Sequence, residues 1–123
     1  MHHVEIDPTA HLLTISWAGH VDSEEARRCC EEVQKHLAGI EPRGRVLTDL
    51  SGLESMDHEC AVHLDRIMDL FHRRGVDTVT RVIPNPYKDV GFNIMSLFHY
   101  HHRHGVHIMT CKSVEEARRI LQS

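Results

Sequence analysis

No apolar run in this sequence approaches the roughly 20 residues that a membrane-spanning helix needs. The first residues, Met1 to Glu5, also lack the apolar core of a secretory signal peptide, so we expect a cytoplasmic protein without a membrane span. Hydrophobic residues make up 41% of the chain and charged residues 26%. This balance predicts a folded, soluble domain rather than a disordered segment.

The chain also has no excess of basic residues, because it contains 14 Lys and Arg and 18 Asp and Glu, which gives a formal net charge of −4. Domains that bind nucleic acids usually carry a broad basic patch, so we expect no nucleic-acid partner. The chain shows no internal repeat, linker or low-complexity segment. Its 123 residues predict a single domain, over residues 1–123, with one sizeable core.

Signatures of catalysis and redox chemistry are absent as well. The sequence contains no GxSxG, no phosphate-binding loop, no GxGxxG and no HExxH. Its four cysteines, Cys29, Cys30, Cys60 and Cys111, form no CxxC pair and predict buried, reduced thiols, with one of the adjacent pair Cys29 and Cys30 facing the core. Cys60 would be activated near a helix start if it were exposed, but its place on an apolar stripe predicts burial. We therefore predict a non-enzymatic protein without a cofactor.

What is present predicts an α/β domain. The alternating runs Val4–Ile6 and Leu13–Trp17 flank the turn signal Asp7-Pro8-Thr9, which predicts an N-terminal β-hairpin that ends at Gly19. The later elements are predicted as a helix from Asp22 or Ser23 to Gly39, a strand at Val46-Leu47, a helix from Asp57 to Gly75, a strand from Val76 to Ile83, a helix from Lys88-Asp89 to about Gly105, a strand from His107 to Thr110, and a helix that opens with a capping box at Ser113 and Glu116. The order β-β-α-β-α-β-α-β-α predicts a mainly parallel mixed sheet with right-handed crossovers.

The stretch 45–75 organises the rest of the chain. A short apolar strand ends on Asp49, a polar loop follows from Ser51 to Ser55, and an amphipathic helix begins at Asp57. Open α/β sheets place their sites where a parallel strand passes into a helix. We therefore expect the functional surface here.

This stretch also carries a family resemblance. The run Val46-Leu47-Thr48-Asp49-Leu50-Ser51-Gly52-Leu53, then Ser55-Met56-Asp57, and the closing segment from Lys112 to Ala117 resemble the STAS domain, the fold of bacterial anti-sigma-factor antagonists and of the cytoplasmic tails of sulfate transporters. The resemblance implies a STAS-like fold and a regulatory protein-interaction module. Its partner would be an anti-sigma factor or a kinase-like regulator.

The chain departs from the family pattern at one position. In phospho-regulated antagonists the helix opens with Asp followed by a Ser or Thr that a partner kinase phosphorylates, whereas here Asp57 is followed by His58. A phosphate adds about −1.5 to −2 charges at such a helix start, and His58 cannot take its place. The nearby hydroxyls of Ser51 and Ser55 are expected to cap the helix or close a turn by bonding to local backbone amides. Regulation by the usual serine kinase is therefore not expected.

The predicted docking surface consists of Ser51, Ser55, Met56, Asp57 and His58, together with Asn85, Pro86 and Tyr87 in the loop after the next strand. Its occupant would be a partner protein or a second copy of the chain in a homodimer. The alternative is a small ligand or a lipid bound in the same crevice, which requires a cavity beneath these loops.

Histidine is unusually frequent, with 13 copies, and is densest between His99 and His107. On a helix, the pairs His99 and His102, and His101 and His104, would each share a face and could bind a metal ion. No Asp or Glu lies in this segment to complete a site. A polar helix end is the favoured interpretation, and we predict no metal.

Overall fold

A computed structural model describes residues 1–39, 45–76, 78–83 and 106–122. Its elements are β1 (His2–Asp7), β2 (Leu12–Val21), α1 (Ser23–Leu37), β3 (Arg45–Met56), a short 3-10 helix (His58–Cys60), α2 (Ala61–Arg73), β4 (Thr78–Val82), β5 (His107–Cys111) and α3 (Val114–Gln122). The helix predicted from Lys88-Asp89 to about Gly105 lies outside the described residues.

The five strands form one sheet in the order β1-β2-β3-β4-β5. β1 is antiparallel to β2, and the other three pairs are parallel. The hairpin forms because the Asp7 carboxylate accepts hydrogen bonds from the amides of Thr9 and Ala10, at 3.0 and 3.2 Å. The mixed, mainly parallel sheet with an N-terminal hairpin is thereby confirmed.

Helices cover both faces of the sheet. α1 and α2 pack together on one face, where the larger core includes Ile15, Trp17 and Val46 of the strands. α3 packs on the other face, where Ala117 joins Leu47. Alternation along β3 places Val46 and Leu47 on opposite faces, so that one strand supplies both cores.

Helix α1 buries both adjacent cysteines, since Cys29 is 0% exposed and Cys30 is 4% exposed. The sequence predicted that one of them faces the core, whereas the structure buries both. α1 packs against the sheet and also against α2, so its buried stripe is wide enough to take two consecutive positions.

Local capping fixes the starts of α1 and α3 as predicted. Asp22 caps α1, its side-chain oxygen accepting the Glu25 amide at 2.8 Å. Before α3, the Ser113 hydroxyl accepts the Glu116 amide at 3.1 Å, and the Glu116 carboxylate accepts the Lys112 amide at 3.2 Å. These reciprocal bonds satisfy amides that have no partner inside the helix.

The predicted end of the strand at Asp49 and the loop from Ser51 to Ser55 were wrong. β3 continues to Met56 because β2 also continues, through Gly19 to Val21, and supplies hydrogen-bond partners along this length. Gly19 makes this continuation possible, since it adopts a φ of +67° between two register shifts of the pair. β4 pairs with β3 only as far as Asp49, so residues 18–21 and 52–56 extend past β4 as a two-stranded ribbon. We call this segment the β2–β3 ribbon.

Candidate functional site

The end of the β2–β3 ribbon is tied to the start of α2 by hydrogen bonds to one carbonyl group. The Val21 carbonyl accepts the Asp57 amide at 3.0 Å and the Cys60 thiol at 3.6 Å. The Cys60 amide in turn bonds to the Asp57 carbonyl at 3.0 Å. The chain therefore passes through one turn of 3-10 helix before α2 begins at Ala61, rather than entering the α-helix at Asp57 as predicted.

Three side chains at the ribbon end form a hydrogen-bonded link, which we call the Ser55–His20–Asp57 link. The Ser55 hydroxyl lies 2.6 Å from Nδ1 of His20, and Nε2 of the same ring lies 3.2 Å from an Asp57 carboxylate oxygen. A neutral imidazole protonated on Nε2 satisfies both contacts, since it donates to the carboxylate and accepts from the hydroxyl. His20 and Ser55 are register partners in the parallel pair, so the sheet itself sets this geometry.

The link combines the residue types of a hydrolytic triad without the geometry of one. In such triads the serine contacts Nε2 and the carboxylate contacts Nδ1, the reverse of the order here. The side chains of His20 and Asp57 are also 55% and 43% exposed, whereas catalytic electrostatics depend on a water-excluded site. We interpret the link as a connection between β2 and the start of α2.

The structure brings only part of the predicted surface together. Ser55, Asp57 and His58 lie at the ribbon end, and the half-buried Met56 packs beneath them against the larger core. Ser55 bonds to His20 rather than to a helix amide, so the prediction that it caps the helix or closes a turn on local backbone was wrong.

Ser51 lies apart from this group. Its amide and its hydroxyl both donate to the Asp49 carboxylate, at 3.0 and 2.6 Å. Ser55 follows Ser51 by four positions of strand, which corresponds to about 13 Å. The Ser51 hydroxyl therefore bonds to a neighbouring carboxylate within β3, and the prediction that it caps the helix or closes a turn on backbone amides was wrong. The loop residues Asn85, Pro86 and Tyr87 lie outside the described residues.

Two residues of this surface were missed by the sequence analysis. His20 was overlooked because the hairpin strand was predicted to end at Gly19, although Val21 continues the alternation of Ile15 and Trp17 and could have signalled a longer strand. Val62, on the first turn of α2, is 59% exposed. It was overlooked because it lies outside the buried stripe of the helix, and the apolar spacing that predicts the helix reports only that stripe.

The surface around the link is acidic. Sequence positions 1–26 and 46–65 contain no Lys or Arg, and these segments supply both strands of the ribbon and the start of α2. Glu54 and Glu59 are exposed, and Asp57 is partly exposed. Among the described residues, the ribbon end and the start of α2 therefore carry more negative than positive charge, and the arginines that follow these two segments are Arg27 and Arg66.

His63 lies at the α1–α2 contact, next to this surface. Its Nε2 is 3.3 Å from the Ser23 hydroxyl, and its Nδ1 is buried without a hydrogen-bond partner in the described part of the chain. Burial lowers the pKa of His63, and the positive charges of Arg66 and Arg27 lower it further against the opposing effect of Glu24. The folded domain therefore favours the neutral ring.

Replacing His63 with Gln should make the domain less sensitive to acid. Because the pKa of His63 is lower in the folded than in the unfolded state, its contribution to stability is present above the unfolded value of about 6.5 and is lost as the pH falls through the folded value. The free energy of unfolding, measured by urea titration between pH 8 and pH 5, should decline less steeply for His63→Gln than for wild type. The exposed His72 provides the control, and equal slopes for wild type, His63→Gln and His72→Gln would refute this account.

The alternative of a bound ligand requires a cavity, and the cavity between α2 and the sheet is small. It has a volume of about 20 Å³ and is lined by Ile15, Trp17, Met68 and Phe71 among others. That space holds about one water molecule. It also contains none of the docking residues, so this cavity does not support a site for a metabolite or a lipid.

Within the described ranges, no three His, Cys, Asp or Glu side chains are arranged to hold a metal ion. The histidines from His99 to His104 lie outside those ranges, and His107 is exposed on β5. None of the helices in the part of the chain that the structure describes is long and apolar enough to cross a membrane.

Comparison with known proteins identifies the fold. No family model and no curated protein sequence matches the chain. Among solved structures, the anti-sigma factor antagonist SpoIIAA in its unphosphorylated form superposes with a TM-score of 0.71 at 14% identity, covering 100% of this chain and 99% of that one. An uncharacterized protein from Shewanella loihica PV-4, described as having a SpoIIAA-like fold, gives a TM-score of 0.68 at 15% identity, covering 98% and 93%. The fold of this chain is SpoIIAA-like, which confirms the STAS-like architecture.

Proposed function

We propose that this chain is a non-enzymatic regulatory module that docks a partner protein in the cytoplasm. The docking surface consists of His20, Ser55, Met56, Asp57, His58 and Val62. The observation that carries the proposal is the hydrogen-bonded Ser55–His20–Asp57 link, which holds the exposed ribbon end against the start of α2. Rigid surfaces bind with less loss of conformational entropy than mobile loops, so a braced strand end suits recognition.

The partner class follows from the fold likeness. SpoIIAA is an anti-sigma factor antagonist, and by analogy the partner here is an anti-sigma factor or a kinase-like regulator. Because His58 follows Asp57, we propose that docking does not depend on phosphorylation at that position. A surface fixed by hydrogen bonds between neighbouring strands needs no added phosphate to acquire its shape.

The proposal is tested by removing the two exposed groups at the centre of the surface. The double variant Asp57→Ala/His58→Ala, used as bait in an extract of the source cells, should lose the proteins that wild type captures. The variant should remain folded, since both side chains lie outside the two apolar clusters and a partly exposed His20–Asp57 pair contributes at most about 1 kcal/mol; its melting temperature checks this.

The matched control is His3→Ala/Glu5→Ala, which removes an imidazole and a carboxylate from exposed positions of β1. This control should capture the same proteins as wild type. Capture by the Asp57→Ala/His58→Ala bait equal to that by the control would exclude this surface as the docking site.

A further inference from the structure

Val62 has no role in the described core. Its side chain is 59% exposed, and it belongs to neither of the two apolar clusters that hold the helices to the sheet. Valine is also a poorer helix former than alanine, by about 0.5 kcal/mol, because its branched side chain loses rotational freedom in a helix. Neither of the two described clusters therefore accounts for an apolar, β-branched residue at this position.

The surroundings of Val62 are polar and mostly acidic. One turn before it lie His58 and Glu59, both exposed, and one turn after it lie Asp65 and Arg66. The ribbon end adds Asp57 beside this turn. An isolated apolar side chain within a charged rim has the layout of an interface core with its polar border.

The groups facing this turn from the neighbouring elements favour negative charge. The start of α1 supplies Asp22, Ser23 and Glu24, the ribbon end supplies Asp57, and His63 lies at the contact between the two helices. Arg27 of α1 is paired with Glu24 and Glu31. Arg66 is the one Lys or Arg in the first two turns of α2, so among the described residues carboxylates outnumber Lys and Arg around Val62.

We propose that Val62 is the apolar anchor of the docking surface and that its occupant is a protein with an apolar pocket bordered by Lys or Arg. The proposal rests on the function proposed above and names the chemistry of the partner. A second copy is a poorer occupant, because a two-fold contact would place the carboxylates of Asp57 and Glu59 against those of the other copy. An anionic membrane would repel the same groups.

The probe is the protein that the wild-type bait captures and the Asp57→Ala/His58→Ala bait does not, purified after identification by mass spectrometry. Binding is measured by isothermal titration calorimetry at low and high NaCl. Val62→Ala should weaken the affinity by at least about tenfold, as expected for a central apolar anchor. Val62→Ile should retain the wild-type affinity, and the melting temperature of Val62→Ala should equal or exceed that of wild type.

Charge is tested separately. Glu59→Lys should weaken binding and reduce its salt dependence. Glu115→Lys makes the same change at an exposed position in the first turn of α3 and should leave the affinity unchanged.

The outcomes separate this inference from the proposed function. Suppose that capture depends on Asp57 and His58. An affinity of Val62→Ala within about twofold of wild type would then overturn the role of Val62 as anchor, and so would binding that salt does not weaken. Either result would leave the docking function standing. Capture that does not depend on Asp57 and His58 would overturn both. A dimer in sedimentation that Val62→Ala dissolves would replace the basic partner with a second copy of the chain.

Discussion

Replacing Phe71 with alanine is expected to destabilise the domain by about 3–5 kcal/mol, the usual cost of truncating a buried phenylalanine. Phe71 is 1% exposed, near the end of α2, and it lines the small cavity together with Ile15 and Val79. The truncation would enlarge the cavity between α2 and the sheet. The surrounding strands and helix would prevent this cavity from collapsing, so the lost contacts would not be replaced. Since domains of this size are stable by about 5–15 kcal/mol, this single change removes a large part of the total.

Urea unfolding followed by circular dichroism measures the effect. Phe71→Leu keeps most of the apolar volume and should cost clearly less than Phe71→Ala, and His72→Ala, at the exposed neighbouring position, should cost less than about 0.5 kcal/mol. If Phe71→Ala and His72→Ala had the same effect, α2 would not be packed on the sheet through this side chain. The surface that α2 presents would then lose its support.

The second large effect is the chemical protection of Cys60. Burial, with smaller contributions from the negative charges of Asp57, Asp22 and Glu59, raises the pKa of the Cys60 thiol from 9.0 to about 11, against a lowering effect of the hydrogen bond to the Asp57 backbone. At pH 8 a shift of this size lowers the thiolate fraction by about 100-fold, and the side chain is also inaccessible, at 0% exposure. Alkylation of native Cys60 by iodoacetamide should therefore be at least about 100-fold slower than alkylation in urea.

Peptide mapping by mass spectrometry reports this rate directly. The other three cysteines are also buried and free, so native protein should remain largely unlabelled and urea-unfolded protein should take up four labels. Labelling of native Cys60 at the rate of an open thiol would show that the 3-10 helix separates from Val21 in solution. The docking surface would then not be a fixed one.

Features that depend on neighbours in the sequence were predictable. The Asp7-Pro8-Thr9 turn, the Asp22 cap of α1 and the capping box at Ser113 and Glu116 each use side chains within a few residues of the amides they bind. Burial of Cys60 was also predicted, because it follows from helical spacing with Leu64 and Phe71.

The candidate site was only partly predictable. The sequence placed Asp57 and His58 on it, but the polar residues of 51–55 suggested a loop, since Gly52, Ser55 and Glu54 have low strand propensity. Residues 51–55 form a strand because they pair with β2. The composition of one strand does not indicate which other strand it pairs with. Ser51 was assigned to the site on proximity in sequence, whereas an extended strand carries it about 13 Å from Ser55.

By itself, the sequence determined the order of the elements that the structure describes, the hairpin, the mainly parallel sheet and the buried thiols, because periodicity and capping act over a few residues. Only the tertiary structure decided where the ribbon ends and which side chains meet there. His20 and Ser55 are 35 positions apart in the chain and become neighbours through strand pairing. Such contacts depend on register between distant segments, which the bulge at Gly19 sets and no local pattern encodes.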